Sequence, residues 1–349
     1  MRVLVTGHAG YIGTVLVPML QRAGHEVTGL DSFLYEDCGI GPAPSEPPAI
    51  RKDTRDVTVE DLRGFDAVVD LAAISNDPLG DLNPDTTYAI NHRAPARLAA
   101  LAKEAGVSKF VYSSSCSLYG AHGDSYIDES ADFLPVTPYG ESKVLSERDI
   151  SALADDNFSP TFMRNATAYG VSPRLRGDLV VNNLTGYAVA IGEVLLKSDG
   201  TPWRPLVHIE DISRVALAIL EAPTQLVHNE AFNVGATAEN YRIRDVAEIV
   251  HGVVPDSIIG FGPNAGPDKR NYRVDCDKLA SLLPHAVPQW TVETGAEQLR
   301  DLFQAVGLTR EQLEGGGLQR LKHVRAEMGA GRLDDSLRWV LSRASRVAS

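Results

Sequence analysis

The feature that most limits what this chain can fold into lies at its start. Val3-Leu4-Val5 is a short apolar run that passes directly into Thr6-Gly7-His8-Ala9-Gly10-Tyr11-Ile12-Gly13, and residues 14–23 then carry a helical pattern. Glycines at intervals of three between a strand and a helix permit a tight turn, close backbone approach to a pyrophosphate and close packing of helix on strand. The helix N-terminus adds free N–H groups that favour an anion. A second strand, Glu26-Val27-Thr28-Gly29-Leu30, ends in Asp31, 18 residues past Gly13. A carboxylate at that place accepts hydrogen bonds from an adenosine ribose and repels a 2′-phosphate, so the pattern predicts NAD rather than NADP.

Around this start, short apolar runs at 3–5, 27–30, 67–73 and 110–113 alternate with helical patterns at 14–23 and 94–105. Strand and helix in alternation imply a parallel sheet, and strands apolar on both faces imply helices covering both sides. The predicted class is therefore α/β, a doubly wound parallel sheet of Rossmann type with a smaller C-terminal substrate-binding domain. Pro18 is expected to kink the first helix, and the proline- and glycine-rich residues 32–49 to form a loop, a surface insertion rather than a substrate lid. From about Tyr169 the alternation gives way to helices at 181–194, 211–222 and 244–250 and a strand at 231–234. We expect residues 1–168 to form the NAD-binding domain, with 207–236 returning to it, and residues 169–349 to hold mainly the substrate. The segment 305–349 offers no mechanistic clue.

Composition excludes several classes. With 33 basic and 46 acidic residues the net charge is −13, which argues against a broad grip on nucleic acid or an anionic membrane. Three cysteines without CxxC spacing suggest neither a disulfide framework nor a zinc site, and no HxxxH, HxH or carboxylate cluster suggests another metal. Apolar runs are cut by Asp70, Gly192 and Glu193, and the N-terminus turns into the glycine loop before any signal-peptide core. A cytoplasmic protein without a membrane span is expected.

The chemistry-bearing residues come next. The strand at 110–113 leads into Ser113-Ser114-Ser115-Cys116-Ser117, at the sheet edge where doubly wound folds bind ligands. Twenty-four residues after Ser115 comes Tyr139, and four later Lys143, within Thr137-Pro138-Tyr139-Gly140-Glu141-Ser142-Lys143. Thr137 suits an N-cap and Pro138 the first helical position. Positions i and i+4 share a helix face, so the Lys143 ammonium is placed beside the Tyr139 phenol. A free phenol titrates near ~10; a neighbouring ammonium and an oxidised nicotinamide favour phenolate. Tyr139 then acts as general base while Ser115 holds the same substrate oxygen. His122 and His208 fall near this region and are given no chemical role.

Together these residues resemble the extended short-chain dehydrogenase/reductase family, in its NAD-dependent epimerase/dehydratase branch, over residues 3 to about 279. The best-known members act on nucleotide sugars. By resemblance, Asp53-Thr54-Arg55-Asp56 corresponds to the segment beside adenine, Leu71-Ala72-Ala73 to the strand end beside the cofactor, and Asn91 to a helix asparagine near the active site. The resemblance implies NAD contacts at Gly7, Gly10, Tyr11, Ile12, Gly13, Asp31, Asp53, Thr54, Leu71, Ala72, Ala73, Asn91, Ser113, Tyr139 and Lys143. It also implies catalysis by Ser115, Tyr139 and Lys143. A nucleotide-diphosphate sugar is expected against Ser115, Cys116, Ser117, Thr167, Asn182, Asn183, Arg204 and Arg270, with Asp211 structural and Arg174 and Arg176 notable cations in an acidic chain. Residues 268–273 resemble the late segment that brings another arginine to the diphosphate.

Sugar 4,6-dehydratases of this family carry an Asp-Glu pair just after the catalytic hydroxyl, where this chain has Cys116 and Ser117. The serine-rich version is more similar to members of the UDP-galactose 4-epimerase type. Cys116 reads mainly as a small buried residue, and Thr167 stands where many relatives have Asn. The resemblance further implies a homodimer through helices at 91–105 and 140–154. Three activities stay open at this point: a 4-epimerase with held NAD, a nucleotide-sugar dehydrogenase or ketoreductase with exchangeable NAD(H), and a non-catalytic NAD-sensing protein.

Overall fold

The computed structural model describes residues 1–41, 46–75, 77–266 and 270–340. The strands β1 (Arg2–Thr6), β2 (Glu26–Asp31), β3 (Ala49–Arg51), β4 (Ala67–Asp70) and β5 (Lys109–Ser115) join Ser159–Asn165 and Glu230–Val234 in one sheet. From one edge the order is Glu230–Val234, Ser159–Asn165, β5, β4, β1, β2, β3, seven strands with every pairing parallel. The chain runs outward from β1 through β2 and β3, then crosses back to β4 and builds the other half. This reversal opens a crevice between the carboxyl ends of β1 and β4, where doubly wound sheets bind ligands. All of β4 and all of Ser159–Asn165 are buried, as two-sided helix cover requires.

Helix α1 (Gly13–Arg22) lays Leu16, Val17 and Leu20 on the sheet beside Ile212, Val215 and Ile219 of the helix Ile209–Glu221. Pro18 lies within α1, which continues past it to Arg22. A second apolar cluster joins the helices Val180–Ile191, Ile243–Val253 and Val292–Ala305 through Leu184, Val246, Val250, Leu299 and Phe303. There the parallel strands Glu193–Ser198 and Ile258–Gly266 pair.

Two expectations need correction, and one strand had not been expected. The helix expected to reach residue 194 stops at Ile191, because Gly192 adopts φ +71 as its left-handed cap and releases the chain into the strand Glu193–Ser198. The strand Ser159–Asn165 was hidden by Pro160, Thr161 and Arg164, which break the apolar run. The stretch 32–49 is not a loose surface insertion in its described part: Phe33 and Cys38 are buried, and β3 begins at Ala49. Gly39 sits at φ +126, where a Cβ would stand 2.2 Å from the Pro173 carbonyl oxygen. Pro42 and Pro44 lie outside the described residues.

One polar lock fixes the helix that carries Tyr139 and Lys143. The helix Pro138–Ser151 starts as its sequence dictates: the Thr137 side chain accepts from Gly140 N, and Pro138 sits in the first turn. Farther along, Glu147 takes an ion pair from Arg164 at 2.8 Å, with both side chains only 7% exposed. Ser114 Oγ donates to the same carboxylate at 2.5 Å, and Arg164 also donates to Tyr119 Oη and to the Glu129 carbonyl. A buried pair of this kind contributes little against an apolar replacement, but breaking one side strands a charge. Glu147→Ala is expected to lower the unfolding free energy by about 3–5 kcal/mol in urea titrations. Adding Arg164→Met to that variant should recover most of the loss, and a strictly additive double mutant would contradict the account.

Candidate active site

A cavity of 1040 Å³ opens at the crevice between β1 and β4. Gly7, at φ +66, forms its floor; a Cβ there would lie 2.9 Å from Ala72 N. A Cβ at Gly13 would meet the His8 carbonyl oxygen at 2.4 Å, so α1 can start against the loop only with glycine. Gly10 N donates to the Gly7 oxygen at 3.0 Å, closing the turn. Gly10, Tyr11 and Ile12 line the cavity, and Tyr11 Oη donates to the Gly170 carbonyl at 2.7 Å, tying the loop to the second apolar cluster.

Asp31 lines the same cavity at the end of β2. Ala9 N donates to one of its oxygens at 3.1 Å and Phe33 N to the other at 2.7 Å, while burial raises its pKa above the usual carboxylate range. Its partners orient the carboxylate toward the space above the glycine loop. His8 lies buried beneath it against Gly29, its pKa lowered by burial; a Cβ at Gly29 would meet its ring at 2.4 Å. Asp53 and Thr54 line the far end. Burial alone would raise the Asp53 pKa, but Arg55 donates to both its oxygens and holds it below the ordinary value. Opposite these, Leu71, Ala72 and Ala73 line the β4 side.

The chemistry-bearing groups meet in the middle. Ser113, Ser115, Ser117, Tyr139 and Lys143 all line the cavity. Ser115 Oγ caps the short turn Cys116–Leu118 by accepting from Ser117 N at 3.2 Å, and it donates to Ser117 Oγ at 3.1 Å. Lys143 Nζ donates to the Ser113 carbonyl at 2.7 Å and to Tyr112 Oη at 3.1 Å, and stands 5.9 Å from the Tyr139 ring centre. Burial lowers Lys143 to about 8, against the pull of Asp70 and Glu147. Tyr139 is pushed up to about 12 by burial, with a hydrogen bond from Ser115 working in the other direction. The phenolate expected from the neighbouring ammonium together with an oxidised nicotinamide is therefore not favoured in the protein alone, where desolvation dominates.

On the opposite wall, Thr167, Asn183, Arg204 and Arg270 line the cavity. Arg270 is ion-paired with Asp77, which also accepts from Thr137 Oγ1, and Arg204 Nη1 donates to the Arg270 and Trp203 carbonyls. Asp268 and Lys269 lie outside the described residues. Three residues expected at the ligands stand behind the wall instead. Asn91 spends both ends of its amide on the Ile74 backbone, at 2.8 Å each, and so holds the loop after β4 in place. Asn182 bonds Gly170 N, Tyr11 Oη and the Arg176 carbonyl. Cys116 is fully buried, with Sγ 3.0 Å from the Arg164 carbonyl and its pKa raised by desolvation. His208 caps the helix Ile209–Glu221 and bonds Gln298, and Asp211 accepts from Gln289 N and Trp290 N; both are structural.

Sequence reasoning missed Asp77, which pairs with Arg270, and assigned no ligand to Arg176, which spans Ser75 and Asp178 across the cavity. It also missed the C-terminal residues Gln319, Arg320, Leu321 and Leu337, which line the same space without any motif to announce them. Among the described residues, no group of His, Cys, Asp and Glu could hold a metal ion, and no helix is long and apolar enough to cross a membrane.

The cradle left by Gly7 and Gly13, with Asp31 at its rim, fits a dinucleotide whose pyrophosphate lies on the loop and whose ribose meets a carboxylate. Fold and site together define an NAD-dependent enzyme of the extended short-chain dehydrogenase/reductase type. The profile of the NAD dependent epimerase/dehydratase family matches residues 3–235, and the chain belongs to that family. A UDP-glucose 4-epimerase of Corynebacterium glutamicum is 30% identical over 268 residues, 72% of this chain and 80% of its own. Among solved structures, MoeE5 in complex with UDP-glucuronic acid and NAD is similar at TM-score 0.76 and 25% identity, covering 87% of this chain and 99% of its own. The UDP-glucuronic acid 4-epimerase from Bacillus cereus, in complex with UDP-glucuronic acid and NAD, gives 0.74 and 25% over the same shares. A dTDP-glucose 4,6-dehydratase from Streptomyces venezuelae shares the fold at TM-score 0.77 and 23% identity.

Hydrogen bonds to a charged group contribute about 1.5–3 kcal/mol each. Asp31→Ala is accordingly expected to weaken NAD about 10- to 100-fold and to narrow the preference over NADP, measured by calorimetric titration of stripped protein. Unchanged NAD affinity would remove Asp31 from the ribose.

Proposed function

We propose that this protein is a nucleotide-sugar 4-epimerase, inverting C4 of a nucleoside-diphosphate sugar through a transient 4-keto sugar. The observation that carries the reading is the meeting of Ser115, Tyr139 and Lys143 in one cavity, with Cys116 and Ser117, neither of them acidic, at the two positions after Ser115. The acid–base pair that 4,6-dehydratases of the family carry at those two positions is therefore absent from them. The curated relative from Corynebacterium glutamicum, a UDP-glucose 4-epimerase, supports the same choice and makes uridine diphosphate sugars the first to test.

Bound NAD supplies a hydride acceptor and donor, and in its oxidised form a positive ring. The chain's own residues handle the proton and the positioning. Ser115 Oγ donates to the sugar O4, and Tyr139 Oη takes the O4 proton as that carbon is oxidised and gives it back on reduction. Lys143, at about 8, is mainly cationic at neutral pH and favours the phenolate. Its hydrogen bonds to Ser113 and Tyr112 keep it on the Tyr139 face. Lys143 is only 3% exposed, and low solvation strengthens its interactions. Arg204 and Arg270 face the substrate diphosphate, where a planar fork suits phosphate oxygens. A homodimer through the helices Ala94–Glu104 and Pro138–Ser151 belongs to the same reading, and sedimentation velocity tests it.

Incubation with a panel of UDP-sugars in D₂O, without added cofactor, is expected to give an isomer of unchanged mass. Deuterium gain would point to enolisation beside the keto group, and turnover only with supplied NAD(H) would overturn epimerisation in favour of net oxidoreduction. Tyr139→Phe should lose about 10²–10⁴-fold in turnover, the usual worth of a positioned acid–base, while still binding nucleotide.

The high phenol pKa gives a separate check. Because Tyr139 ionises only near 12 in the protein alone, wild type and Tyr139→Phe should show the same 295-nm absorbance at every pH up to about 10 when stripped of NAD. A tyrosinate difference between them should appear at lower pH once NAD is restored. A difference already present near neutral pH in the stripped protein would contradict the burial argument.

A further inference from the structure

The described C-terminal segment crosses the cavity rather than trailing from the domain. Gly39 N donates to the Gly317 carbonyl at 2.9 Å and Gly177 N to the Leu318 carbonyl at 2.8 Å, seating the start of the crossing beside the glycine loop. The helix Arg320–Gly329 follows, and His323 Nε2 bonds the Leu34 carbonyl at 2.9 Å. Beyond it, the Asp335 carbonyl accepts from Asn83 and Thr86, the Ser336 carbonyl accepts from Arg55, Arg338 pairs with Asp56, and Trp339 Nε1 donates to the Ser32 carbonyl. Val324, Leu333 and Leu337 close a small apolar core with Ile74 and Leu79. The segment thus ties the loop after β2, the turn holding Asp53 and the loop after β4 to one another, on the side of the cavity where Asp31 and Asp53 lie.

At the first turn of this helix sits Arg320, only 3% exposed and lining the cavity. Its Nη2 donates to the Arg174 carbonyl at 2.8 Å, and Arg174 Nε donates to the Ala9 carbonyl of the glycine loop at 3.2 Å. The guanidinium lies 4.6 Å from the Tyr35 ring centre, and Nη1 is buried without a hydrogen-bond partner. Burial is the largest influence against its charge and Arg176 adds to it, while Cys38 and Tyr35 act the other way; the nearby Asp178 is already paired with Arg176 at 2.9 Å. A guanidinium buried without a carboxylate of its own is costly unless an anion completes it.

We propose that Arg320 is a cofactor-binding residue, supplying its fork to the NAD pyrophosphate on the glycine loop, and that the segment carrying it retains the cofactor by strapping the cavity. The anion this geometry suits is a diphosphate. The link through Arg174 to Ala9 assigns it to the cofactor rather than to the substrate, whose diphosphate is expected at Arg204 and Arg270. The inference concerns NAD retention only and stands whichever sugar carbon is inverted.

The test compares wild type, Arg320→Met and Arg320→Lys, each stripped and reloaded with NAD. Release is followed by chromatographic assay of the filtrate after dilution, and UDP affinity by calorimetry. Arg320→Met is expected to release NAD at least 10-fold faster, with UDP affinity unchanged and the melting temperature of the stripped protein equal or higher, since a buried charge has been removed. Arg320→Lys keeps the charge without the fork and should fall between, which keeps the question answerable if the methionine variant fails to fold. Wild-type release from both variants would overturn the assignment. So would a loss confined to UDP affinity, or a lower melting temperature with unaltered NAD release, the signature of a merely structural arginine.

Discussion

Everything chemical in this molecule depends on how one helix is held to two strands. Tyr139 and Lys143 sit on the helix Pro138–Ser151, while Ser113 and Ser115 sit on β5, and neither element alone fixes their separation. Glu147 does so by binding Ser114 of β5 and Arg164 of the next strand with one carboxylate. The lock lies one helical turn beyond Lys143, so the placement of Tyr139 and Lys143 against β5 is set by a buried ion pair. Such a pair is a poor source of net stability, but its directional bonds specify one register where apolar packing would tolerate several. Asn91 plays a related part from another side, accepting Ser146 Oγ on its carbonyl while its amide clamps Ile74. Helix, strand end and β4 loop are thereby referenced to one another.

Burial then separates the two titratable groups by opposite effects. Desolvation disfavours charge, so it drives the phenol up and the ammonium down from the same cause. Lys143 ends at about 8 and Tyr139 at about 12. Their order is reversed and their gap is wider than for the free groups, which near ~10 and ~10.4 almost coincide. A protein that keeps its base neutral until a cationic ring arrives has tied proton removal to the loaded state. On the proposed mechanism, Tyr139 stays neutral in the empty cavity, and the field that favours its phenolate belongs to the complex with NAD.

Much of this was legible in the chain. Glycines at 7, 10 and 13 followed by Asp31, and Ser115 followed by Tyr139 and Lys143, are local patterns whose spacing is dictated by turn and helix geometry, and the folded chain brings them to one cavity. What could not be read were positions defined by partners far away in sequence. Arg164 looks like a break in a strand until Glu147 neutralises it. Asn91, Asn182 and Cys116 match motif positions, yet each spends its polar atoms on groups of the protein's own framework, a fact carried by no spacing rule. Gly192 ends the helix inside a stretch read as helical to residue 194, and its positive φ reveals why.

The C-terminal segment marks the sharpest limit of sequence reading. Helical pattern and polarity there are ordinary, and Arg320 is one basic residue among 33 in an acidic chain. Its significance comes from three loops folding over a cavity built some 200 to 300 residues earlier in the chain. The ties are mostly backbone carbonyls, at Leu34, Arg174, Asp335 and Ser336, which any sequence presents. A strap made this way leaves little trace in side-chain motifs, whereas its consequence is specific. The loop after β2, the turn holding Asp53 and the loop after β4 are tied together through it, and the proposed retention of NAD rests on those ties. For a catalyst that returns its hydride to the same substrate, an NAD that stays through many turnovers is sufficient. A cleft strapped by residues 319–340, as proposed, suits that chemistry better than one that must exchange cofactor at each turnover.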